Sequence, residues 1–178
     1  MASSRAAAFS NSCVLMLTVM ALLDVGCGRS NVSDRPSAAP VLYHNAQYDL
    51  TFSLPASWQG YSMVVREWVG QTYFSATDQV AVTDHGPLVV LRHPQWKADD
   101  LYQDIPILVF TRRQWDDHHQ GRFIIGVGGV EVELGHNPAH VFAISSRFNA
   151  GDSVKGWKEA TEAVGRNMAA NGPPLYGQ

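Results

Sequence analysis

The chain has 178 residues, 46% of them hydrophobic, and its 13 Lys and Arg stand against 16 Asp and Glu for a formal net charge of −3. With no run of adjacent cations longer than Arg112-Arg113, it lacks both the electrostatic footprint of a nucleic-acid binder and a basic patch for a membrane surface. The two cysteines, Cys13 and Cys27, are too few for a disulfide framework, so the fold must be held by its core.

Met1 to Ser12 carries one cation, Arg5, and no acid, and leads into the apolar run Val14–Leu23. That is the pattern of a secretory signal peptide. The run is about half the roughly 20 residues that a spanning helix needs, and Asp24 closes it with a charge that is costly in lipid. Leu23-Asp24-Val25-Gly26-Cys27 then resembles the bacterial lipoprotein box, in which small residues precede a cysteine that is lipidated on its thiol and becomes the new N-terminus. Gly26 and Cys27 fit; Asp24 stands where an apolar residue is usual. Lipidation of Cys27 is therefore expected, with ordinary cleavage and a free thiol as the alternative, and Gly28 after the cysteine favours an outer membrane as destination. The predicted organisation is a signal peptide over 1–26, a flexible tether over 27–40 rich in Ser and Pro, a globular domain over 41–172 and a tail over 173–178. Cleavage removes Cys13, Arg5 and Asp24, so no intramolecular disulfide is possible and the charge balance is unchanged.

In the globular part the first predicted strand is Tyr48–Leu54, where Tyr48, Leu50, Phe52 and Leu54 alternate with Asp49, Thr51 and Ser53 before Pro55 ends the element. A second strand is predicted over Tyr61–Val69, after a turn at Pro55 to Gly60. A short strand at Val80–Thr83, a turn at Asp84-His85-Gly86 and a strand through Leu88–Leu91 follow, the last two strands reading as antiparallel neighbours. Ile105–Phe110 is nearly unbroken in its apolarity, which predicts a strand covered on both faces near the centre of the sheet. Thr111-Arg112-Arg113-Gln114 has the spacing of a capping box, placing a short helix immediately after that strand, with Gly121 as its stop. Strands are expected at Phe123–Val127 or Val130–Leu134 and at His140–Ser145. A final helix is predicted from Ser153 to about Ala169, with Asp152 as N-cap and Val154, Trp157, Thr161, Val164 and Met168 on its buried stripe. Lys155 with Glu159 and Lys158 with Glu162 are spaced as i to i+4 pairs on its outer face. Many strands and few helices make this an α+β fold: a single domain with a mainly antiparallel β-sheet packed with helices.

Tyr48-Asp49-Leu50-Thr51-Phe52-Ser53-Leu54-Pro55, with Trp58 and Gly60-Tyr61, resembles the opening of an uncharacterised family of bacterial exported proteins and lipoproteins. The likeness continues through Leu91 to Trp96, Gln103 to Thr111, Leu134 to Asn137, Val141 to Ala143 and Arg147 to Asn149. Its most specific block is the strand carrying Asp104-Ile105-Pro106 and then Val109-Phe110-Thr111. The opening strand is also similar to the wider PsbP-like group, and that resemblance implies an antiparallel sheet between helices, an α/β/α sandwich. It implies a fold and a compartment and carries over no catalytic residues.

Several groups of residues have the composition of a site. In Asp116-Asp117-His118-His119 only Asp116 and His119 share a helix face, two ligands where a stable metal site takes three or four; pairs of Arg112 with Asp116 and Arg113 with Asp117 are the simpler expectation. Arg92-His93-Pro94-Gln95-Trp96 offers a cation, an imidazole and an indole on a loop stiffened by Pro94, which suits a polar or anionic ligand. Its bland counterpart is Trp96 packed over a sheet edge and Arg92 paired with a carboxylate. Gly126-Val127-Gly128-Gly129 lacks the third glycine of a dinucleotide loop, Glu131 standing in its place, and reads as a turn or bulge. No Gly-x-Ser-x-Gly or His-Glu-x-x-His occurs. His136-Asn137-Pro138 reads as a polar turn, and the seven histidines leave room for protonation changes below neutral pH.

These readings converge on a non-enzymatic domain of the cell envelope, joined to a membrane by lipid on Cys27. Arg92, His93 and Trp96 are the candidate contacts for an envelope protein or small-molecule ligand, joined in a concave site by residues such as Asp104 or His136. No cofactor, metal or nucleic acid is expected. The alternative is a hydrolase or metal-dependent enzyme whose site is assembled from dispersed histidines and carboxylates.

Overall fold

A computed structural model describes residues 38–74, 79–126, 129–148 and 151–171, which belong to one compact unit running over Ser37–Gln178. Val41–Asn45 (β1) and Leu50–Leu54 (β2) pair antiparallel as a two-stranded sheet. The larger sheet is built from Ser62–Phe74 (β3), Gln79–Arg92 (β4), Ile105–Thr111 (β5), Ile124–Ile125 (β6), Glu131–His136 (β7) and His140–Ser145 (β8). Its order is β6-β3-β4-β5-β8-β7, with every pairing antiparallel. The helices are Arg112–His119 (α1) and Trp157–Ala170 (α2). The α+β class and the mainly antiparallel sheet expected from the sequence are therefore what the chain adopts.

Strand alternation assigns the two faces of this sheet. On one, Val89, Leu91, Ile105, Ile107, Val109, Leu134 and Ile144 pack with Phe52, Leu54 and Trp58 from the small sheet and its following turn, and with Ala160, Ala163 and Val164 of α2. On the other, Trp68, Leu108, Phe110, Val141 and Ala143 pack with Trp115 of α1 and with Phe123 and Ile125. Strand β5 contributes to both clusters and lies between β4 and β8. Its unbroken apolarity has this cause.

The capping box forms as the sequence predicts: Thr111 Oγ1 accepts from the Gln114 amide and the Gln114 side chain accepts from the Thr111 amide. Gly121, with φ of 71°, lies just beyond the last turn. The polar turn at Asn137 is a side-chain turn, its Oδ1 accepting from the amides of Ala139 and His140 and so closing the β7–β8 hairpin.

Several sequence expectations are corrected. The turn at Asp84-His85-Gly86 does not form; those residues lie inside β4, paired with Gly70, Val69 and Trp68 of β3. Gly86 runs on as strand because the Trp68 indole covers it from the opposite strand, so closely that an added Cβ would stand 2.6 Å from the ring. The segments expected as two neighbouring strands are thus one long strand, and the β3–β4 connection falls at 75–78, outside the described residues. The final helix starts at Trp157, because Gly156 takes φ of 74° and no side chain caps the helix, while Gly151–Ser153 form a separate 3-10 turn. Its buried face is accordingly Ala160, Ala163, Val164 and Asn167, with Trp157, Thr161 and Met168 half-buried beside them. Lys155 precedes the helix and reaches Asp100, 2.6 Å away, rather than serving as the first half of a helical pair. Strand β1 was not foreseen, and Tyr48 and Asp49 belong to the turn before β2.

Candidate functional site

Arg92, His93 and Trp96 follow directly from the end of β4. The Arg92 guanidinium lies 3.8 Å from the Trp96 ring centroid on one side and grips Asp104 on the other, with Nη2 donating to Oδ2 at 3.0 Å and Nε to both carboxylate oxygens at 3.3 Å. His93 is buried, edge-on to Trp58 at 5.1 Å and stacked on Tyr102 at 4.5 Å. The Gln95 amide donates to its Nδ1 at 3.1 Å. Burial pushes the His93 pKa down, against a smaller opposing pull from Glu159, so the ring is held neutral with its proton on Nε2. Next to it, Gln103 donates from its side chain to the Asp104 and Phe148 carbonyls, and its amide donates to the Lys155 carbonyl.

Of the five residues foreseen together, Arg92, Trp96 and Asp104 interlock with His93 adjoining them in the chain, and His136 does not join them. His136 sits beside β8 where that strand meets Phe110, at the opposite end of β5 from Ile105 and Leu91, and donates from Nδ1 to Glu133 at 2.6 Å. The charge of Arg92 is answered by Asp104, and the segment 92–104 is tied to itself and to Lys155. This geometry is that of a clip that fastens the end of β4 to the loop before α2.

A cavity of about 410 Å³ opens elsewhere, on the α1 side of the sheet. Its floor is Trp68, Leu88, Pro106 and Leu108 from β3, β4 and β5; Ile125 of β6 stands over them, and Glu131 and Ser145, cross-strand partners on β7 and β8, form the far wall. It exists because α1 is short. Eight residues with Trp115 as their one apolar side chain cover Phe110 and Val141, and leave Leu88 and Leu108 roofed only in part. Pro87 shapes the floor as well: it has no N–H for β5, the described β4–β5 pairing stops at Leu88 with Leu108, and the Trp68 indole N–H takes the Val109 carbonyl at 2.9 Å. Trp68 is fixed further by ring contacts to Phe110 at 4.6 Å and Phe123 at 5.9 Å.

Two of the cavity's polar residues are carboxylates held by histidines. Glu131, its side chain 3% exposed, is 3.0 Å from His118 Nε2, while His118 Nδ1 faces the Phe123 carbonyl at 3.2 Å. The bond to Glu131 raises the His118 pKa over the lowering caused by burial. Glu67, at the rim, accepts from His85 Nδ1 at 2.6 Å, both side chains being exposed. Both ring nitrogens of His118 are turned to Glu131 and the Phe123 carbonyl, so neither is directed at Ser145 as a base. Among the described residues no group of three or more His, Cys, Asp or Glu is placed to hold a metal ion. His119 Nδ1 lies 3.1 Å from the Trp115 carbonyl, and Asp117 pairs with Arg113 at 3.5 Å and with Arg122. Arg112 donates to the Asn137 carbonyl.

Sequence reasoning missed this cavity. Its signal was indirect: a central strand apolar on both faces, followed by a helix with too few apolar residues to cover the second face. Cys27 lies outside the described residues, and no helix among those residues is long and apolar enough to cross a membrane. Comparison with protein-family models, curated proteins and solved structures finds no match to this chain.

Proposed function

We propose that this chain is a non-enzymatic ligand-binding domain of the bacterial cell envelope, tethered by lipid on Cys27, and that it takes a small, largely apolar molecule in the cavity over Trp68. The observation that carries the binding reading is the cavity itself: an apolar floor of four side chains from three adjacent strands, with a few fixed polar groups at its margin, the usual composition of a small-molecule site. The export reading is supported by the leader, Cys27 and the Ser- and Pro-containing stretch after it.

This reading moves the contacts proposed at Arg92, His93 and Trp96 to Trp68, Leu88 and Leu108, because the Arg92 charge is met by Asp104 and the His93 ring is buried with Nδ1 accepting from the Gln95 amide. The uncharged fluorophore N-phenyl-1-naphthylamine tests it. The purified protein should bind this probe saturably at one equivalent, and Leu88→Trp, which fills the cavity from a half-buried position, should weaken binding at least tenfold. Equal binding by wild type and Leu88→Trp, or no saturable binding, would contradict the assignment.

A further inference from the structure

The cavity has a chemical polarity, and its choice of head group rests on its being the binding site proposed above. Its one deeply buried ionisable group is Glu131, on the wall opposite the Trp68 floor. Charge-bearing donors are absent from its lining: no Lys or Arg is among the described lining residues. His118, the imidazole nearest Glu131, turns Nε2 to the Glu131 Oε2 atom and Nδ1 to the Phe123 carbonyl, so neither nitrogen faces a bound molecule. The rim repeats the arrangement with Glu67 bound by His85. Gln71 and Ser145 complete the polar lining and can serve as donor or acceptor.

A carboxylate accepts through two oxygens with about four lone-pair positions, of which His118 occupies one. A bound molecule therefore meets an apolar floor and a buried acceptor wall with no Lys or Arg in the described lining. A second anion there would have no Lys or Arg partner in the lining and would face the buried Glu131 across a medium that screens poorly. A hydrogen-bond donor would be received, and one carrying positive charge would gain most. We infer that the cavity selects amphiphiles that present an N–H or O–H donor to Glu131, a primary amine foremost, and rejects those with an anionic head. At about 410 Å³ the space lies at the small end of ligand cavities, which run from about 300 to 1,000 Å³, and so suits a single short chain or ring system.

Three probes of equal chain length separate head-group choice from simple apolar binding: n-octylamine, 1-octanol and sodium octanoate, titrated below their aggregation limits into the purified protein at pH 7 and low ionic strength by calorimetry. The expected ranking is amine, then alcohol, then carboxylate, with octylamine at least tenfold tighter than octanoate. In Glu131→Gln, checked for folding by circular dichroism, that ratio should fall to threefold or less while octanol affinity is retained. Octanoate binding as tightly as octylamine to the wild-type protein, or an unchanged ratio in a folded Glu131→Gln, would overturn the head-group inference and leave the apolar cavity reading intact. Failure of all three probes to bind would overturn both. The wild-type ranking decides the question by itself should Glu131→Gln not fold.

Discussion

His93 and His118 are both imidazoles against aromatic rings, and their surroundings push them in opposite directions. His93 is enclosed by Trp58 and Tyr102, and burial lowers its pKa from the ordinary 6.5. The stability that depends on its neutral form is complete above pH 6.5 and is lost as the pH falls from there through the lowered value in the folded chain. His118 is raised from the same 6.5 by its bond to Glu131. Its contribution is complete below pH 6.5 and is lost as the pH rises through the raised folded value. His85, raised by Glu67 at the surface, acts in the same direction as His118 but in the screening of solvent. Urea unfolding between pH 5 and 8.5 checks this. His93→Phe should flatten the acid-side decline, and His118→Gln the decline above pH 6.5. Slopes parallel to wild type in both variants would contradict the account.

At the scale of elements, Asn167 shows how α2 is locked to the small sheet. Its Oδ1 accepts from the Ser53 amide at 2.8 Å and its Nδ2 donates to the Ser53 and Ala163 carbonyls, also at 2.8 Å. One buried amide thus serves β2 as a neighbouring strand would. Removing it in Asn167→Ala leaves the Ser53 groups without that partner, at an expected cost of about 1–3 kcal/mol by chemical denaturation. A loss below about 0.5 kcal/mol would mean that water replaces the amide freely. Asn167 is also where the limits of pattern reading become plain. Periodicity alone placed Trp157, Thr161 and Met168 on the buried stripe, whereas the close approach of α2 to the sheet selects the small residues Ala160 and Ala163 and a polar Asn whose partner is 114 positions away. Strand β5 and the α1 cap were legible because each follows from contiguous residues. The long β4 was not, since Asp84-His85-Gly86 has turn composition, and its extension rests on distant partners, the pairing with β3 and the Trp68 indole over Gly86. The Arg92 cluster was legible as a group, down to the pairing of Arg92 with a carboxylate, which the fold supplies as Asp104.

For the whole molecule, a six-stranded antiparallel sheet has one face packed against α2 and the β1–β2 pair across its central strands, and the other only partly covered by α1. The inequality of the two covers produces the cavity, and the same short helix supplies the histidine that holds Glu131. The tether belongs to this scale too. If Cys27 carries the lipid, Cys27→Ala expressed in a bacterial host should shift the protein from the membrane to the soluble envelope fraction and remove the acyl mass from its N-terminal peptide. Membrane fractionation unchanged by the substitution would refute anchoring through that thiol. The claim on which the functional account turns is the location of binding, and an amide and indole nitrogen-proton correlation spectrum of the labelled protein, recorded during titration with N-phenyl-1-naphthylamine, tests it most directly. The account predicts the largest shifts at the Trp68 indole and at Leu88, Leu108, Ile125 and Glu131; shifts centred on Arg92, His93 and Trp96, or none at saturating probe, would contradict it.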